Sequence, residues 1–552
     1  MAVGRHKNAD EMQRLDRRMR NTSRPVVLVG FLDQGNLGLG YLTATLRRFG
    51  YRVVVVDIER PKEEMLEIIR TERPLMIGFS MIFQFYVDRY DRLLRYLRRR
   101  GVDCHFTMGG HFPSLSHDAA MRALPALDSI VQFEGELTLL HIADRISTGR
   151  EWRDVPGLVC WRKGEITVNP PGMYLHDLDW LPWPDRDYEP EKILGLSAMP
   201  LLASRGCART CSFCSIHTFY RTAPGKVVRI RNPARIVEEM SHLHHERGIS
   251  IFLFQDDDFP LFGRVWQQWA REFVAELHAA RLPGRIIWKI NCRADAVDAA
   301  LLAEMRDAGL YLVYMGLESG SDEGLKTLNK EITVEQNLAA VAMLKQLGLM
   351  FEFGFMMFDP SSTFRSVRDN LEFLRTITGD GSVAAVFCRM LPYDGTPRKD
   401  TLAANGRLKG SISDPDYDFL DSTLDRFYAA LNRLLHVTGW IHGHRALSPK
   451  LNWAWNEVAV IEKMFPSMPG FEAYRQELRE LTRESNALLF QIVETLADAY
   501  EAGLEVDIPR DKLDDACNDY VQRLVSLRND FVYGNSNRFD AALSQRPVAV
   551  SA

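Results

Sequence analysis

Three cysteines carry the clearest chemistry in this chain. Cys207, Cys211 and Cys214 stand in the run Ser204-Arg-Gly-Cys-Ala-Arg-Thr-Cys-Ser-Phe-Cys-Ser-Ile-His-Thr-Phe-Tyr220, spaced C-x3-C-x2-C. Short spacings let one loop turn three thiolates toward a common point, which suits an iron–sulfur cluster. An ordinary cluster takes four Cys, and the nearest others are Cys160 and Cys292. A structural zinc site also wants four closed ligands, usually as two separated pairs. Three ligands therefore point to an iron left open for a small molecule. Zinc held with His217, or simply buried thiols, are the alternatives that spacing alone leaves standing. The apolar run Leu201-Leu-Ala203 places the loop at the end of a buried strand.

The elements that must position this loop follow from the rhythm of the chain. From Pro25, β-branched runs alternate with helical periods: strands at Val26–Phe31, Tyr51–Ile58, Leu75–Ser80, His105–Gly109 and Ile130–Phe133, with helices between them. That alternation predicts a parallel, doubly wound, Rossmann-like sheet over residues 25–150. Ligands bind such sheets beyond the carboxyl ends of the strands, so the informative loops are residues 32–40, 80–85 and 109–114. Gly35, Gly38 and Gly40 do not have the G-x-G-x-x-G spacing of a dinucleotide site. Residues 151–197 read as a linker with a hairpin around Lys163-Gly164, then a Pro-rich irregular stretch. Residues 198–410 alternate again, through strands at Ile251–Phe254, Ile286–Ile290, Tyr311–Met315, Met350–Met357 and Val383–Arg389. This predicts a partial (β/α) barrel, whose chemistry belongs at the strand C-termini. Residues 411–552 are mostly apolar at helical spacing and read as a helical cap.

Composition sets the outer limits. The chain has 552 residues, 46% hydrophobic and 26% charged, which is globular material for roughly three or four domains. A net charge of −5 gives no reason to expect a nucleic-acid partner. Eight Cys, three clustered and five scattered, form no disulfide framework and fit a reducing, cytoplasmic location. No apolar run approaches the ~20 residues of a membrane span. Residues 1–24 are polar and Arg-rich, a lead-in rather than a secretory signal.

With an aromatic, Phe213, before its last Cys, the loop resembles the signature of the radical S-adenosylmethionine superfamily. The resemblance implies a 4Fe–4S cluster on Cys207, Cys211 and Cys214, with S-adenosylmethionine on the open iron, cleaved to a 5′-deoxyadenosyl radical. It also implies adenosylmethionine contacts at Phe213, at Asp256 of the carboxylate run Asp256-Asp-Asp258, at Arg293, and at Gly316, Glu318 and Ser319 of a G-x-E-S-G motif. Arg293 would grip a carboxylate, either that of the ligand or that of Glu318. The run Phe355-Met-Met-Phe358 stands where relatives have a more Gly-rich turn.

The N-terminal part resembles the corrin-binding domain of cobalamin-dependent members of that superfamily. Cobalamin contacts are then expected at Gly35, Asn36, Leu37, Gly38, Ser80, Gly109, Gly110, His111, Glu134 and Gly135. Many cobalamin proteins supply a cobalt-ligating His through D-x-H-x-x-G. Here Gly35 stands at the His place of Asp33-Gln34-Gly35-Asn36-Leu37-Gly38, which favours a cobalt without that axial donor. The expectation is therefore a cobalamin-dependent radical enzyme that methylates an unactivated carbon of a small molecule. It would be supplied with electrons by a donor such as flavodoxin or ferredoxin. A cyclase or rearrangement enzyme with the same cofactors is the alternative, and a non-catalytic sensor a remote one. A methylthiotransferase would carry more N-terminal cluster cysteines than Cys104 alone.

Overall fold

Valine fills the first two strands. Val26–Gly30 (β1) is buried along its whole length, and Val53–Asp57 (β2) runs parallel beside it. The computed structural model describes residues 23–33, 35–441, 446–504 and 509–544. Most of the expected lead-in, Gln34, His442 and His444 lie outside the described residues. Met76–Ser80 (β3), His105–Gly109 (β4) and Ser129–Val131 (β5) complete a parallel order β2-β1-β3-β4-β5. A parallel sheet buries both faces, and the side chains divide by strand period: Val27, Val29, Ile77 and Phe106 pack to one side, and Val26, Leu28, Met76 and Val131 to the other.

The expected hairpin is present as Leu158–Arg162 (β6) and Glu165–Val168 (β7). It is not free: β6 pairs antiparallel with β5 and extends the first sheet. Leu158, Val159 and Cys160 are fully buried there, cover that an isolated hairpin would lack.

The second sheet curls into a half-barrel. Glu191–Ile193 (β8) and Leu196–Leu201 (β9) form its edge hairpin. A short antiparallel pair, Ser204–Arg205 (β10) with Arg229–Ile230 (β11), brackets the Cys loop. Ile249–Phe254 (β12), Ile287–Cys292 (β13), Leu310–Glu318 (β14), Met350–Phe358 (β15) and Cys388–Arg389 (β16) follow, in the order β8-β9-β12-β13-β14-β15-β16 and parallel from β9 onward. Outward side chains meet the helices. Phe254 and Trp288 pack edge-on against Phe273 of helix Gly263–Ala279, with ring centroids 5.7 and 5.4 Å apart. Burying each such ring contributes about 1.5–3 kcal/mol. The inward face of β14 and β15 brings together Tyr314, Glu318 and Gly354.

The last expected strand, Val383–Arg389, shortens to the two residues of β16. The backbone of residues 383–385 bonds to cap side chains rather than to β15. Asn452 accepts from the Ala384 amide at 2.9 Å, and Asn486 accepts from Ala385 at 2.8 Å while donating to the Val383 carbonyl at 3.0 Å.

The C-terminal region is helical: Ser422–Val437, Leu447–Met464, Phe471–Glu501, Arg510–Gly534 and Ser536–Ser544. Helix Leu447–Met464 does not lie over the barrel mouth. Its Asn456 sits beside Tyr311 and Glu352, near the starts of β14 and β15, so this helix closes the half-barrel from the end opposite the Cys loop. No helix among the described residues is long and apolar enough to cross a membrane.

Candidate functional site

The Cys loop leaves β9 and is tied down by the three carboxylates that end β12. Asp256 accepts from the Ala203 amide at 3.1 Å and from the Ser204 hydroxyl at 2.5 Å. Asp257 accepts from the Gly206 amide at 3.1 Å, and the Cys207 thiol lies 3.9 Å from Asp258. Consecutive carboxylates thus hold consecutive pieces of the loop. Burial pushes all three carboxyls up, Asp256 to about 7 and Asp257 and Asp258 to about 6. Asp256 is 1% exposed and spends its oxygens on the loop, so any effect on a ligand passes through the loop.

The three thiols are near one another and mostly buried. Burial pushes Cys207 and Cys214 up to about 12, and raises Cys211 despite the nearby cations Lys330 and Arg293. Arg293 places an N–H 3.5 Å from the Cys211 sulfur and bonds Asp295 at 2.9 Å and the Lys330 carbonyl. Arg293 is therefore a neighbour of the thiols, while Glu318 is paired with Lys330. Among the described residues no three His, Cys, Asp or Glu side chains converge on a point suited to one metal ion. The donor set is three soft thiols flanked by two cations, which fits a thiolate-bound iron–sulfur cluster, and the raised thiols release their protons as metal binds.

Across the half-barrel, Glu318 ends β14 with φ +66°, a backbone conformation uncommon for a residue with a side chain and enriched at ligand sites. Its partner is Lys330, 3.1 Å away, with only 5% of that side chain exposed. Two glycines keep the inner wall open beside it. A Cβ on Gly316 would meet Glu318 at 2.4 Å, and one on Gly354 would meet the Tyr314 hydroxyl at 2.7 Å. Gly354 thus supplies, inside β15, a small residue that the run 355–358 lacks. Ser319 faces away, fully buried and donating to Asn370 at 2.9 Å. Phe213 packs, half-buried, against the barrel core.

The strand ends of the first sheet open onto a cavity of about 290 Å³. Asn36, Gly38, Ser80, Gly109, Gly110, His111, Glu134 and Gly135 line it. Gly35 and Leu37 line an adjoining cavity of about 450 Å³ that shares Asn36, Gly38, Ser80, Ile82, Leu202 and Gln255 with the first. All ten sequence-selected corrin contacts therefore border one or the other space. Two of the lining glycines are required by close packing: a Cβ on Gly110 would lie 2.1 Å from the Met81 carbonyl, and one on Gly78 would lie 2.9 Å from Leu28. Gly78 was not singled out from the sequence, since a glycine inside a strand looks the same whether it meets a ligand or a neighbour.

The same cavity has a second wall, supplied by the half-barrel: Leu202, Ser204, Arg205, Phe219, Tyr220, Gln255 and Asp257. A buried ion-pair group fastens the walls together. Arg205, two residues before Cys207, reaches Glu136 at 2.7 Å and Glu134 at 3.2 Å, and Arg229 donates to Glu134 at 2.9 Å. Burial alone would raise the Glu134 carboxyl, but Arg205 and Arg229 hold it below its ordinary value. His111 packs its ring 4.5 Å from Phe219, on helix Ser215–Thr222 just after Cys214. Burial pushes that imidazole down to about 4, so it is neutral near pH 7.

A glycine-lined cavity on a doubly wound sheet, walled on its far side by residues that flank a three-thiol loop, has counterparts among known proteins. Residues 23–143 match the B12 binding domain, and residues 201–374 match the Radical SAM superfamily. The chain thus combines a B12 binding domain with a Radical SAM domain. It is 28% identical over 378 residues to the uncharacterized methyltransferase PH0819 of Pyrococcus horikoshii, spanning 67% of this chain and 79% of that protein. It is 32% identical over 338 residues to the anaerobic magnesium-protoporphyrin IX monomethyl ester cyclase of Cereibacter sphaeroides, spanning 58% of this chain and about half (52%) of the cyclase. The chain also shares its fold with the cobalamin-dependent S-adenosylmethionine radical enzyme OxsB, solved with aqua-cobalamin and S-adenosylmethionine bound. That likeness has a TM-score of 0.61 at 17% identity and covers 95% of this chain and 83% of OxsB. The chain is an enzyme.

Proposed function

We propose that this enzyme transfers a methyl group to an unactivated carbon of a small-molecule substrate. The observation that carries the reading is the shared cavity, in which the corrin-side glycines and the barrel residues flanking the thiol loop line one space. Bound there, cobalamin supplies a transferable methyl group, and S-adenosylmethionine on the cluster supplies the hydrogen-abstracting radical.

The chain's own task is geometric. Cys207, Cys211 and Cys214 are the proposed cluster ligands, and Arg293 with Lys330 stabilises the Cys211 thiolate. Glu318, held by Lys330, offers a carboxylate to ligand hydroxyls on the inner barrel wall, with Gly316 and Gly354 giving the ligand room. Asp256 to Asp258 fix the loop, and the Arg205–Glu134–Glu136 group fixes the loop against the corrin side. Holding reacting groups in one geometry removes much of the entropic barrier to their reaction. A reduced cytoplasmic setting and an external electron donor complete the reading. All eight cysteines are free of disulfides.

A second reading keeps both cofactors but rearranges or cyclises the substrate without methylation, as the name of the cyclase relative says of that protein. Anaerobic reconstitution with hydroxocobalamin and methyl-deuterated S-adenosylmethionine separates the two. Methylation predicts a product that gains the deuterated methyl and releases 5′-deoxyadenosine. Release of 5′-deoxyadenosine with an unlabelled product would favour the second reading.

A further inference from the structure

The helix Val87–Arg99 presents Arg92, Arg95 and Arg99 to solvent, and Arg60 and Lys62 follow β2 beside it around a surface groove of about 500 Å³. Four cations of this face are answered by carboxylates: Arg60 by Glu64 at 3.7 Å, Lys62 by Glu63 at 3.9 Å, Arg89 by Glu59 at 2.5 Å and Arg95 by Asp91 at 2.7 Å. Arg92 and Arg99 have no ion pair among the described residues, so the face keeps a positive excess on a chain whose net charge is −5. Like charges spaced along an exposed helix destabilise it by a few tenths of a kcal/mol per pair, roughly. Folding alone gives no reason to gather them.

The face borders the corrin cavity. The Arg89 guanidinium lies over the Phe31 ring at 5.5 Å, and Phe31 packs on Tyr86 with centroids 4.4 Å apart. Phe31 and Tyr86 line the same cavity as Asp33, Gly35 and Asn36. One turn further, Tyr90 donates to the carbonyl of Ser80, another lining residue, at 2.5 Å. Arg89, which also lines the groove, thus links it to the Phe31–Tyr86 pair on the cavity wall.

We infer that this basic face docks an acidic one-electron donor protein of flavodoxin type, so that its electron reaches the corrin cavity across Phe31 and Tyr86. The inference rests on the cobalamin reading of that cavity. The donor's flavin hydroquinone anion gives up one electron and becomes the neutral semiquinone without exchanging a proton. Cob(II)alamin gains that electron and becomes cob(I)alamin. The interleaved carboxylates favour a folded partner of mixed charge over a uniform polyanion, because they repel phosphates as they steer an acidic protein into register.

The test uses the corrinoid-loaded protein, an acidic flavodoxin as probe, and the double variant Arg92→Glu/Arg99→Glu, which touches neither cavity. The variant should bind flavodoxin about tenfold or more weakly, and wild-type binding should weaken as salt rises. Flavodoxin-driven formation of cob(I)alamin, followed by its absorbance, should fall by a similar factor while reduction by titanium(III) citrate is unchanged. Equal binding by variant and wild type would overturn the inference. So would wild-type binding to a short DNA duplex or a phosphatidylserine vesicle tighter than to flavodoxin. The binding arm needs no corrinoid. Failure to retain corrinoid would thus contradict the cobalamin reading and leave the docking face to be decided by affinity.

Discussion

At the strand ends of the first sheet, side chains fall away: Gly78, Gly109, Gly110 and Gly135 line the cavity, and a Cβ on Gly78 or Gly110 would strike neighbouring atoms. At the strand ends of the half-barrel, charge accumulates instead, buried in Asp256, Asp258, Arg293 and Lys330 and half-buried in Glu318. Both sheets are parallel β/α layers with a ligand site beyond their carboxyl ends. The difference reflects what each must hold. A large cofactor needs backbone to recede, which glycine permits. An anionic cluster beside a charged ligand needs fixed charges in a dry setting, where each counts for more than in water.

The sharpest way to break that contrast is to remove one thiol. Cys211→Ala should abolish 5′-deoxyadenosine formation and lower bound iron, while corrinoid still copurifies with the first sheet. Simultaneous loss of both cofactors would mean that the two sites do not form independently. Filling the glycine site should do the reverse. Gly78→Val puts a side chain against Leu28 without demanding an unusual backbone angle. Corrinoid retention should drop by about a hundredfold, on the scale of a lost or overpacked contact of a few kcal/mol, with iron and sulfide content unchanged.

A smaller effect belongs to Glu318. Glu318→Gln removes a charge-assisted hydrogen bond worth about 1.5–3 kcal/mol, so the KM for S-adenosylmethionine should rise by roughly tenfold or more while corrinoid affinity stays put. The mildest test is of acid stability, because the glycine-rich domain also buries two neutral histidines. Burial lowers His105 and His111 from 6.5 to about 4. A depressed imidazole contributes stability that is complete above the ordinary value and lost as pH falls through the folded value. Chemical denaturation of this domain should show about 2 kcal/mol less stability per histidine at pH 5 than at pH 7, and His105→Gln should reduce the slope. A pH-independent unfolding midpoint would contradict the burial argument.

Much of this arrangement is legible in the chain because it is local. Strand and helix periods mark both sheets, three cysteines sit within eight residues, and G-x-E-S-G marks the end of β14. What sequence reasoning missed is long-range. Lys330 meets Glu318 across a helix and a turn, and a lysine buried in an ion pair reads like one on the surface. Arg205 finds Glu136 from 69 residues away, and nothing in either neighbourhood announces the pairing. The run Asp256-Asp-Asp258 resembles the strand end that relatives place beside the ligand, yet both oxygens of Asp256 and one of Asp257 are bonded to the Cys loop, with which the run makes contact only after β9 and β12 pair. The shortened last strand is missed for a related reason: Asn452 and Asn486 bind its backbone from helices beyond residue 440.

The central claim is that a corrin occupies the cavity whose far wall flanks the thiol loop, close to a cluster held by that loop. Its most direct test is a single anaerobic sample, reconstituted with iron, sulfide and hydroxocobalamin and examined by Mössbauer and electron paramagnetic resonance spectroscopy. The account predicts one 4Fe–4S cluster whose spectrum changes when S-adenosylmethionine is added, together with cob(II)alamin broadened by magnetic coupling to the reduced cluster. Zinc in the thiol site, or cob(II)alamin with no coupling to a reduced cluster, would contradict it.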